Sequence, residues 1–215
     1  DLNVFLELLN PAWYAFSERN VLVPNPEWFM LAWLPHLKGL DAVWCKTKDA
    51  TRIFAQHHPR TEYIGWTSRD CLDAKVPRER SLIHIAGDSV SKGTRHVIAA
   101  MARMPEYHLT ILTSQRWGPV TANVTVLGRL EGPEFLVEQN RHMIHLCPST
   151  YEGFGHYINE ARSVGAFIIT TNAAPMNELV TEEFGMGCAV ASTGVERMGY
   201  AHQADPQALV GCIRL

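Results

Sequence analysis

The sequence lacks the features that mark membrane-spanning, secreted and metal-binding proteins. No window approaches the run of about 18 apolar residues that a transmembrane helix needs, and residues 1–10 show neither the basic start nor the cleavage site of a signal peptide. The five cysteines are an odd number without a CxxC pair, which argues against a disulfide framework and a zinc site. These absences predict a cytoplasmic protein, and leave peripheral contact with a membrane surface open.

The charge balance argues against a nucleic-acid partner. The 215 residues include 19 basic and 22 acidic side chains, so the formal net charge is −3. With 47% hydrophobic, 19% charged and 9% aromatic residues, the composition is that of a globular protein with a real core, and it excludes a disordered chain.

Short β-branched runs alternate with helical stretches, which is typical of α/β folds with a parallel sheet. The first part predicts strands over 20–24, 41–45 and 62–66, a helix over 26–38 shortened or kinked by Pro35, and a helix over 47–56 capped by Thr47. The polar run 68–80 predicts a linker, and we place the boundary between two domains after residue 75.

The second part has a clearer alternation of strands and helices. Strands are predicted over 81–86, 107–113, 124–127, 143–147 and 166–171, and helices over 94–104, 133–141, 155–164 and 175–181. This order is a nearly complete doubly wound unit, in which ligands bind on loops at the carboxyl ends of the strands. Those loops span residues 87–93, 128–132, 148–155 and 172–177.

The segment Pro148–Ala161, PSTYEGFGHYINEA, follows a predicted strand and opens a helix. Glycines on both sides of Phe154 let the backbone approach a ligand, and the amides of the first helical turn favour an anion. Glu152 and Glu160 lie on either side of that turn, and carboxylates accept hydrogen bonds from sugar hydroxyls. The order predicts a nucleotide-sugar site; the plain alternative is a surface cap at Glu152 and a solvated helix residue at Glu160.

This segment resembles the retaining glycosyltransferases of family GT4, also called glycosyl transferases group 1. The matching pattern is two glutamates separated by seven residues, set between a strand that ends in Pro-Ser and the run Ser163–Ala166. Further matches are HIAGDSVSKGT before it, Leu-Gly-Arg at 127–129, and NAAPMNELV after it. The resemblance covers residues 81–190 well and residues 1–80 loosely.

The resemblance implies a GT-B type α/β fold. Residues 76–215 would form a Rossmann-like C-terminal domain with a parallel sheet that binds the nucleotide sugar, and residues 1–75 an incomplete Rossmann-like N-terminal domain on the acceptor side. Two full domains need about 300 residues, so we expect a fragment or a reduced version of such an enzyme. The expected partners are a nucleotide-diphosphate sugar donor and an acceptor of unknown class.

The resemblance also assigns roles to residues. Glu160 would bind the ribose, and Glu152 with the amides of Gly153, Phe154 and Gly155 would bind the donor sugar, with a backbone contribution from His156. Lys92, followed by Gly93, would contact the diphosphate and stabilise the charge that grows on it. Glu152 and Lys92 are the predicted catalytic residues, although Glu152 is expected to position the sugar and not to act as a nucleophile. Asn177 is either a helix cap or a second wall beside the donor sugar.

Some positions depart from the family pattern or leave a choice open. Gly87 stands where the family commonly has an arginine, and either Arg95 or Arg129 is a candidate to replace it. No DxD pair occurs, so we expect neither a metal ion nor another cofactor. Asn25 and Glu27 follow a predicted strand and are candidates for acceptor contacts.

The sequence favours a retaining, metal-independent glycosyltransferase over two alternatives. The first is a non-catalytic sugar-nucleotide-binding module or subunit, which the missing arginine at Gly87 favours. The second is a GT-B nucleotide-sugar epimerase or phosphorylase, which would share the same donor site. The base, the sugar and the acceptor depend on loop shape and are not predicted.

Overall fold

A computed structural model describes all residues from Asp1 to Leu215, and the chain divides into two compact units. The first unit comprises Asp1–Trp66, Tyr151–Phe154 and Gly194–Ala201, and the second comprises Thr67–Thr150, Gly155–Thr193 and His202–Leu215. Parallel sheets form the centre of both units, as the alternation of strands and helices predicts. None of the helices combines the length and the apolar character that a membrane-spanning segment requires.

The first unit contains a four-stranded parallel sheet in the order β1-β2-β3-β4. Its elements are β1 (Leu2–Leu6), a 3₁₀ helix (Pro11–Phe16), β2 (Arg19–Val23), a second 3₁₀ helix (Leu31–Gly39), β3 (Ala42–Cys45), α1 (Lys48–Phe54) and β4 (Thr61–Tyr63). Phe5, Leu22 and Val43 point to the same face of the sheet and pack with Phe29 and Phe54 in the core. The Thr47 side chain accepts a hydrogen bond from the Ala50 N–H at 3.1 Å, so the predicted cap of α1 is confirmed.

The helix predicted over 26–38 is wrong. Residues 26–28 form a turn, and only a 3₁₀ helix follows at Leu31–Gly39. The Asn25 carbonyl accepts the N–H groups of both Trp28 and Phe29, at 3.1 and 3.0 Å, which closes the turn. Pro35 lacks an N–H and lies inside the 3₁₀ helix, where it cannot support an α-helical ladder.

The second unit contains a six-stranded parallel sheet in the order β10-β9-β8-β5-β6-β7. Its elements are β5 (Glu79–Gly87), α2 (Thr94–Met101), β6 (Leu109–Thr113), β7 (Val124–Leu127), α3 (Gly132–Arg141), β8 (His142–Cys147), α4 (His156–Ser163), β9 (Phe167–Thr171), a 3₁₀ helix (Met176–Glu178), β10 (Gly185–Cys188) and α5 (Pro206–Arg214). A hairpin of β11 (Val190–Glu196) and β12 (Gly199–Ala204) precedes α5. The predicted helices over 94–104 and 175–181 are both shorter in the structure.

Helices cover both faces of this second sheet. Apolar residues of α2 and α5 form one core with β5, β6 and β9, and apolar residues of α4 form another with β8 and β9. Strands covered on both faces carry continuous apolar runs, which is why every residue of β6, LTILT, is buried. The arrangement is doubly wound. In such sheets ligands bind at the loops that follow the carboxyl ends of the strands.

Candidate functional site

The second unit has a topological switch point between β5 and β8. The two strands are neighbours in the sheet, but the chain leaves β5 through α2 toward β6 and leaves β8 through α4 toward β9, on the opposite side. The loops that follow them, residues 88–93 and 148–155, therefore diverge from the same sheet edge. A crevice at such a point is where ligands bind in open α/β sheets.

The two loops of the switch point contact each other directly. The Thr150 N–H donates to the Ser91 carbonyl at 2.8 Å. Gly93 has a φ of 74°, and a Cβ atom placed there would lie 2.0 Å from the Pro148 carbonyl oxygen. Only glycine fits this approach, so Gly93 has a packing role that is independent of any ligand.

Lys92 lies against the first turn of α4. Its Nζ atom is 4.3 Å from the centroid of the Tyr157 ring, within cation–π distance, and Tyr157 is the second residue of the helix. The Tyr157 hydroxyl is 2.5 Å from Ser149 Oγ, which ties the ring to the loop after β8. The structure thus places the Lys92 ammonium group beside the N-terminus of α4. The charge of the ammonium group and the positive end of the helix dipole together favour a bound anion.

Gly155 begins α4 in a conformation that suits glycine alone. Its φ is 81°, no side chain caps it, and a Cβ atom would lie 2.7 Å from Leu179 Cδ1. The His156 side chain is exposed, and its Nδ1 atom lies 2.9 Å from Ser68 Oγ. Contact of His156 with a ligand is therefore expected through its backbone, as the sequence predicts, because the ring already has a protein partner.

Glu160 is half-buried on α4 and is oriented by Gln139 at the end of α3. The Gln139 Nε2 atom donates to Glu160 Oε2 at 3.4 Å, while Gln139 itself is 1% exposed. The His145 ring nitrogen Nε2 hydrogen-bonds the Gln139 carbonyl at 3.0 Å, and burial lowers the pKa of His145 to about 3, so this histidine is neutral. Sequence reasoning missed Gln139, and nothing in its local pattern points to it.

A buried histidine fixes the start of the Lys92 loop and of α2. His84, in β5, has Nδ1 at 2.7 Å from the Leu146 carbonyl and Nε2 at 2.9 Å from Thr94 Oγ1. Burial lowers its pKa to about 4, and the Lys92 charge also lowers it, so the ring is neutral and accepts from the Thr94 hydroxyl. The sequence signal that could have identified this structural role of His84 is a histidine inside the apolar run SLIHIA.

The remaining predicted residues of the second unit form local contacts. Asn177 is exposed; its side chain donates to Asn172 Oδ1 at 3.3 Å, and its N–H donates to the Ala173 carbonyl, which are contacts of a turn. Arg129 forms ion pairs with Asp88 at 3.0 Å and Glu131 at 2.9 Å, so two carboxylates already balance its charge. Arg95 is exposed on α2.

Glu152, Gly153 and Phe154 are grouped with the first unit, where all three are buried. A Cβ atom at Gly153 would lie 2.2 Å from the side-chain amide of Asn25, so any larger residue would displace that amide. The segment therefore packs against the loop that follows β2. Glu152 is close enough to Glu27 of the same loop to raise its pKa.

Two further features bear on the chemistry. No group of three or more His, Cys, Asp or Glu side chains is arranged to hold a metal ion. A cavity of about 710 Å³ lies on the first unit's sheet, lined by residues that include Arg19, Asp41, Trp44 and Arg60. None of the predicted site residues lines this cavity, so it gives no support to the predicted donor site.

Comparison with known proteins finds similarity at the level of structure. Neither a protein-family model nor a curated protein matches the sequence. The sucrose-phosphate synthase of Thermosynechococcus elongatus superposes with a TM-score of 0.72 at 16% identity, over 99% of this chain and 63% of that one. The pneumococcal O-GlcNAc transferase GtfA, in complex with UDP and GlcNAc, gives a TM-score of 0.71 at 17% identity, over 99% and 49%. HepE from Anabaena, in complex with UDP and glucose, gives a TM-score of 0.69 at 17% identity, over 94% of this chain and 63% of that one.

The chain spans about half to two thirds of the length of these solved structures. Nearly the whole of this chain is covered in each match, so both parallel sheets belong to the shared architecture. The fold is therefore the GT-B type α/β fold of these glycosyltransferases, with Rossmann-like parallel sheets.

Proposed function

We propose that the chain is a retaining, metal-independent glycosyltransferase that uses a nucleotide-diphosphate sugar as its donor. The observation that carries the proposal is the position of Lys92 over Tyr157, at the N-terminus of α4 and at the switch point of the second sheet. A diphosphate is bound best where positive charge and backbone amides lie together, and Lys92 and the N-terminus of α4 provide both. Solved structures of the same fold that were determined with UDP support the choice of ligand.

Most of the predicted residues have a role in this proposal. Lys92 and the first turn of α4 bind the diphosphate, and Glu160 accepts hydrogen bonds from the ribose hydroxyls. Gln139 supports that role because its amide donates to one oxygen of Glu160 and so orients the carboxylate. Glu152 and the backbone of 153–155 position the donor sugar. Gly93 and Gly155 act through the close backbone approaches that they permit.

The proposed chemistry transfers the sugar with retention of its anomeric configuration. The bond between the anomeric carbon and the diphosphate oxygen breaks, and the acceptor oxygen bonds to the same face of that carbon. The leaving phosphate accepts the acceptor's proton, so no protein base is needed at that atom. Lys92 lowers the barrier because negative charge grows on the phosphate beside it, and a positioned charge stabilises the transition state more than the ground state.

The first test is nucleotide binding, measured by calorimetry with UDP. We expect Glu160→Ala to weaken UDP binding by roughly tenfold or more, the loss of one or two hydrogen bonds to a charged group. Glu182→Ala is the matched control, because Glu182 is an exposed carboxylate in the turn before β10, at the opposite edge of the sheet. An equal dissociation constant for the wild type and Glu160→Ala would refute the ribose-binding role.

A binding module without catalysis is the second candidate. The observation in its favour is that Gly87 carries no positive charge, while Arg129, one candidate to replace the arginine, is already paired with Asp88 and Glu131. Turnover separates the two candidates: a transferase releases UDP from UDP-glucose or UDP-N-acetylglucosamine by slow hydrolysis or by transfer, whereas a module shows saturable binding alone. A nucleotide-sugar epimerase would instead convert the donor without losing the nucleotide.

A further inference from the structure

The Lys92 ammonium group lies over an aromatic ring of the second unit. Lys92 is half-buried in the loop after β5, and its Nζ atom is 4.3 Å from the centroid of the Tyr157 ring. A lysine side chain is long and flexible, so a ligand that uses it must immobilise it, unless the protein has already done so. The ring contact therefore bears on every anion that binds beside Lys92.

The backbone on both sides of Lys92 is fixed by the loop after β8. The Ser91 carbonyl accepts a hydrogen bond from the Thr150 N–H at 2.8 Å, and Gly93 packs against the Pro148 carbonyl. These contacts fix the Cα atom of Lys92, whereas the position of Nζ depends on the side-chain torsions. The Tyr157 ring contacts that end of the side chain.

The Tyr157 ring is itself held by buried contacts that begin at β9. Its hydroxyl oxygen lies 2.5 Å from Ser149 Oγ, and Ser149 is fully buried. The Ser149 N–H donates to the Cys147 carbonyl at 2.9 Å, and the Ser149 carbonyl accepts from the Thr171 hydroxyl at 2.7 Å. The ring also packs against the apolar cluster of α4, β8 and β9. It is therefore a fixed support and does not follow the lysine.

The position of the ring on α4 determines where the ammonium group is held. Tyr157 is the second residue of the helix, so its ring lies beside the N–H groups of the first turn. An anion bound to those N–H groups is within reach of an ammonium group that stays over the ring. Gly87 supplies no second positive charge, which increases the weight of a single cation that is held in place.

We propose that Tyr157 is a positioning residue for Lys92. Together with Ser149 it holds the ammonium group beside the N-terminus of α4 before the donor binds, and Lys92 keeps the ring contact in the donor complex. The inference rests on the proposed function for the identity of the diphosphate ligand, but the dependence of anion binding on the ring follows from these contacts alone. A ring that competed with the phosphate for Lys92 would have the opposite effect, because its removal would strengthen binding.

The test measures three probes on Tyr157→Leu, which removes the ring. UDP and inorganic pyrophosphate are titrated by calorimetry, and uridine by ligand-observed NMR. We expect the dissociation constants of UDP and pyrophosphate to rise about tenfold, the effect of losing a partly desolvated cation–π contact. That of uridine should stay within about twofold, because uridine has no phosphate for Lys92 to contact.

Two further variants separate positioning of Lys92 from a structural role of the ring. Tyr157→Phe keeps the ring and should keep UDP binding within about threefold of the wild type, the effect of one hydrogen bond at the ring edge. Lys92→Met removes the ammonium group, and in that background Tyr157→Leu should change UDP binding less than about twofold. A ring that only stabilised α4 would cause the same loss with or without Lys92.

Tyr107→Leu is the matched control. Tyr107 is also half-buried and also packs on an apolar cluster of the second unit, but it lies just before β6, at the opposite edge of the sheet. It should leave the binding of all three probes unchanged. Far-UV circular dichroism identical to that of the wild type shows that each variant is folded.

The outcomes distinguish this inference from the proposed function. Equal or tighter UDP binding by Tyr157→Leu would overturn the positioning role, as would a tenfold loss that persists in the Lys92→Met background; either result leaves the transferase proposal intact. If pyrophosphate binds and depends on Tyr157 as expected but UDP does not bind, Tyr157 stands as the positioning residue of an anion site and the transferase proposal fails.

Discussion

At the scale of single residues, Glu27 shows how burial changes the chemistry of one side chain. It is 5% exposed, and burial raises its pKa to about 7; the charges of Glu152 and Glu7 also raise this pKa, whereas Lys46 lowers it. An ordinary glutamate on a solvated loop would be fully ionised at neutral pH. At the end of β2 the same side chain is half protonated, so it can serve as donor or acceptor.

This raised pKa predicts how the stability of the first unit depends on pH. The folded state holds a proton that the unfolded chain releases near pH 4.5, so the stabilisation is complete below pH 4.5 and is lost as pH rises through 7. A shift of this size corresponds to about 3 kcal/mol. We expect Glu27→Gln to remove most of this dependence, because glutamine does not titrate.

Urea unfolding followed by tryptophan fluorescence measures the effect. Five of the six tryptophans, at 13, 28, 33, 44 and 66, belong to the first unit, so the signal reports mainly on it. Glu18→Gln serves as the matched control, since the Glu18 side chain lies just before β2 and is 88% exposed. A wild type whose unfolding free energy is as pH-dependent between pH 5 and 8 as that of Glu27→Gln would contradict the prediction.

At the scale of elements, the loops after β5 and β8 contact each other because the glycine at position 93 allows their backbones to approach closely. Gly93→Ala should destabilise the second unit for two reasons: a φ of 74° disfavours alanine, and the new Cβ would lie 2.0 Å from the Pro148 carbonyl oxygen. The backbone conformation alone costs about 1–2 kcal/mol, and we expect about 3 kcal/mol or more in total. Binding of UDP should weaken as well, because Lys92 is the neighbouring residue.

Gly118→Ala separates the two contributions to that loss. Gly118 has a φ of 79°, close to that of Gly93, but a Cβ atom there would meet no atom within 4 Å. It should therefore show the backbone cost alone, about 1–2 kcal/mol, with unchanged UDP binding. The measurement is chemical unfolding of both variants side by side. Equal losses in the two variants would mean that the loop contact contributes nothing.

The elements also show where sequence reasoning succeeds. The helices α2 and α4 combine a glycine at the start with apolar residues at helical spacing, and both signals are local, so both helices are predicted within a few residues. The region 26–38 fails as an α-helix because residues 26–28 form a turn and Pro35, which lacks an N–H, lies inside the 3₁₀ helix that follows. Strand β1 was not predicted, because its pairing with β2 joins residues 17 apart through an irregular 3₁₀ segment.

The candidate site follows the same division between local and distant information. Residue type beside a predicted strand or helix marks Lys92, Gly93, Gly155 and Glu160. The positive φ of each glycine is a local reason for its identity, whereas its close contacts are with distant residues. Their supporting partners Gln139 and Tyr157 come from other elements or carry no distinctive residue type. Such partners are set by tertiary packing, and a single sequence contains no direct signal for them.

At the scale of the whole molecule, the buried titratable groups of the two units predict opposite dependences of stability on pH. The second unit contains two buried neutral histidines, His84 and His145, whose pKa values burial lowers to about 4 and about 3. The unfolded chain binds protons at these side chains from about pH 6.5 downward, while the folded unit does not. Their stabilising contribution is therefore complete above pH 6.5 and is lost as pH falls toward 4, whereas that of Glu27 is lost as pH rises.

We therefore expect the second unit to open as the solution is acidified from pH 6.5 to 4, before the first unit does. Hydrogen exchange followed by mass spectrometry resolves the units, and peptides from β5 and α2 should lose protection after correction for intrinsic exchange. His84 alone contributes about 3 kcal/mol to this loss. His84→Gln should lower protection at pH 7 but reduce its dependence on pH, whereas replacement of the exposed His108 by glutamine should leave the pH dependence unchanged. An identical pH slope in wild type and His84→Gln would show that protonation of this buried ring does not govern the acid stability of the unit that carries the proposed donor site.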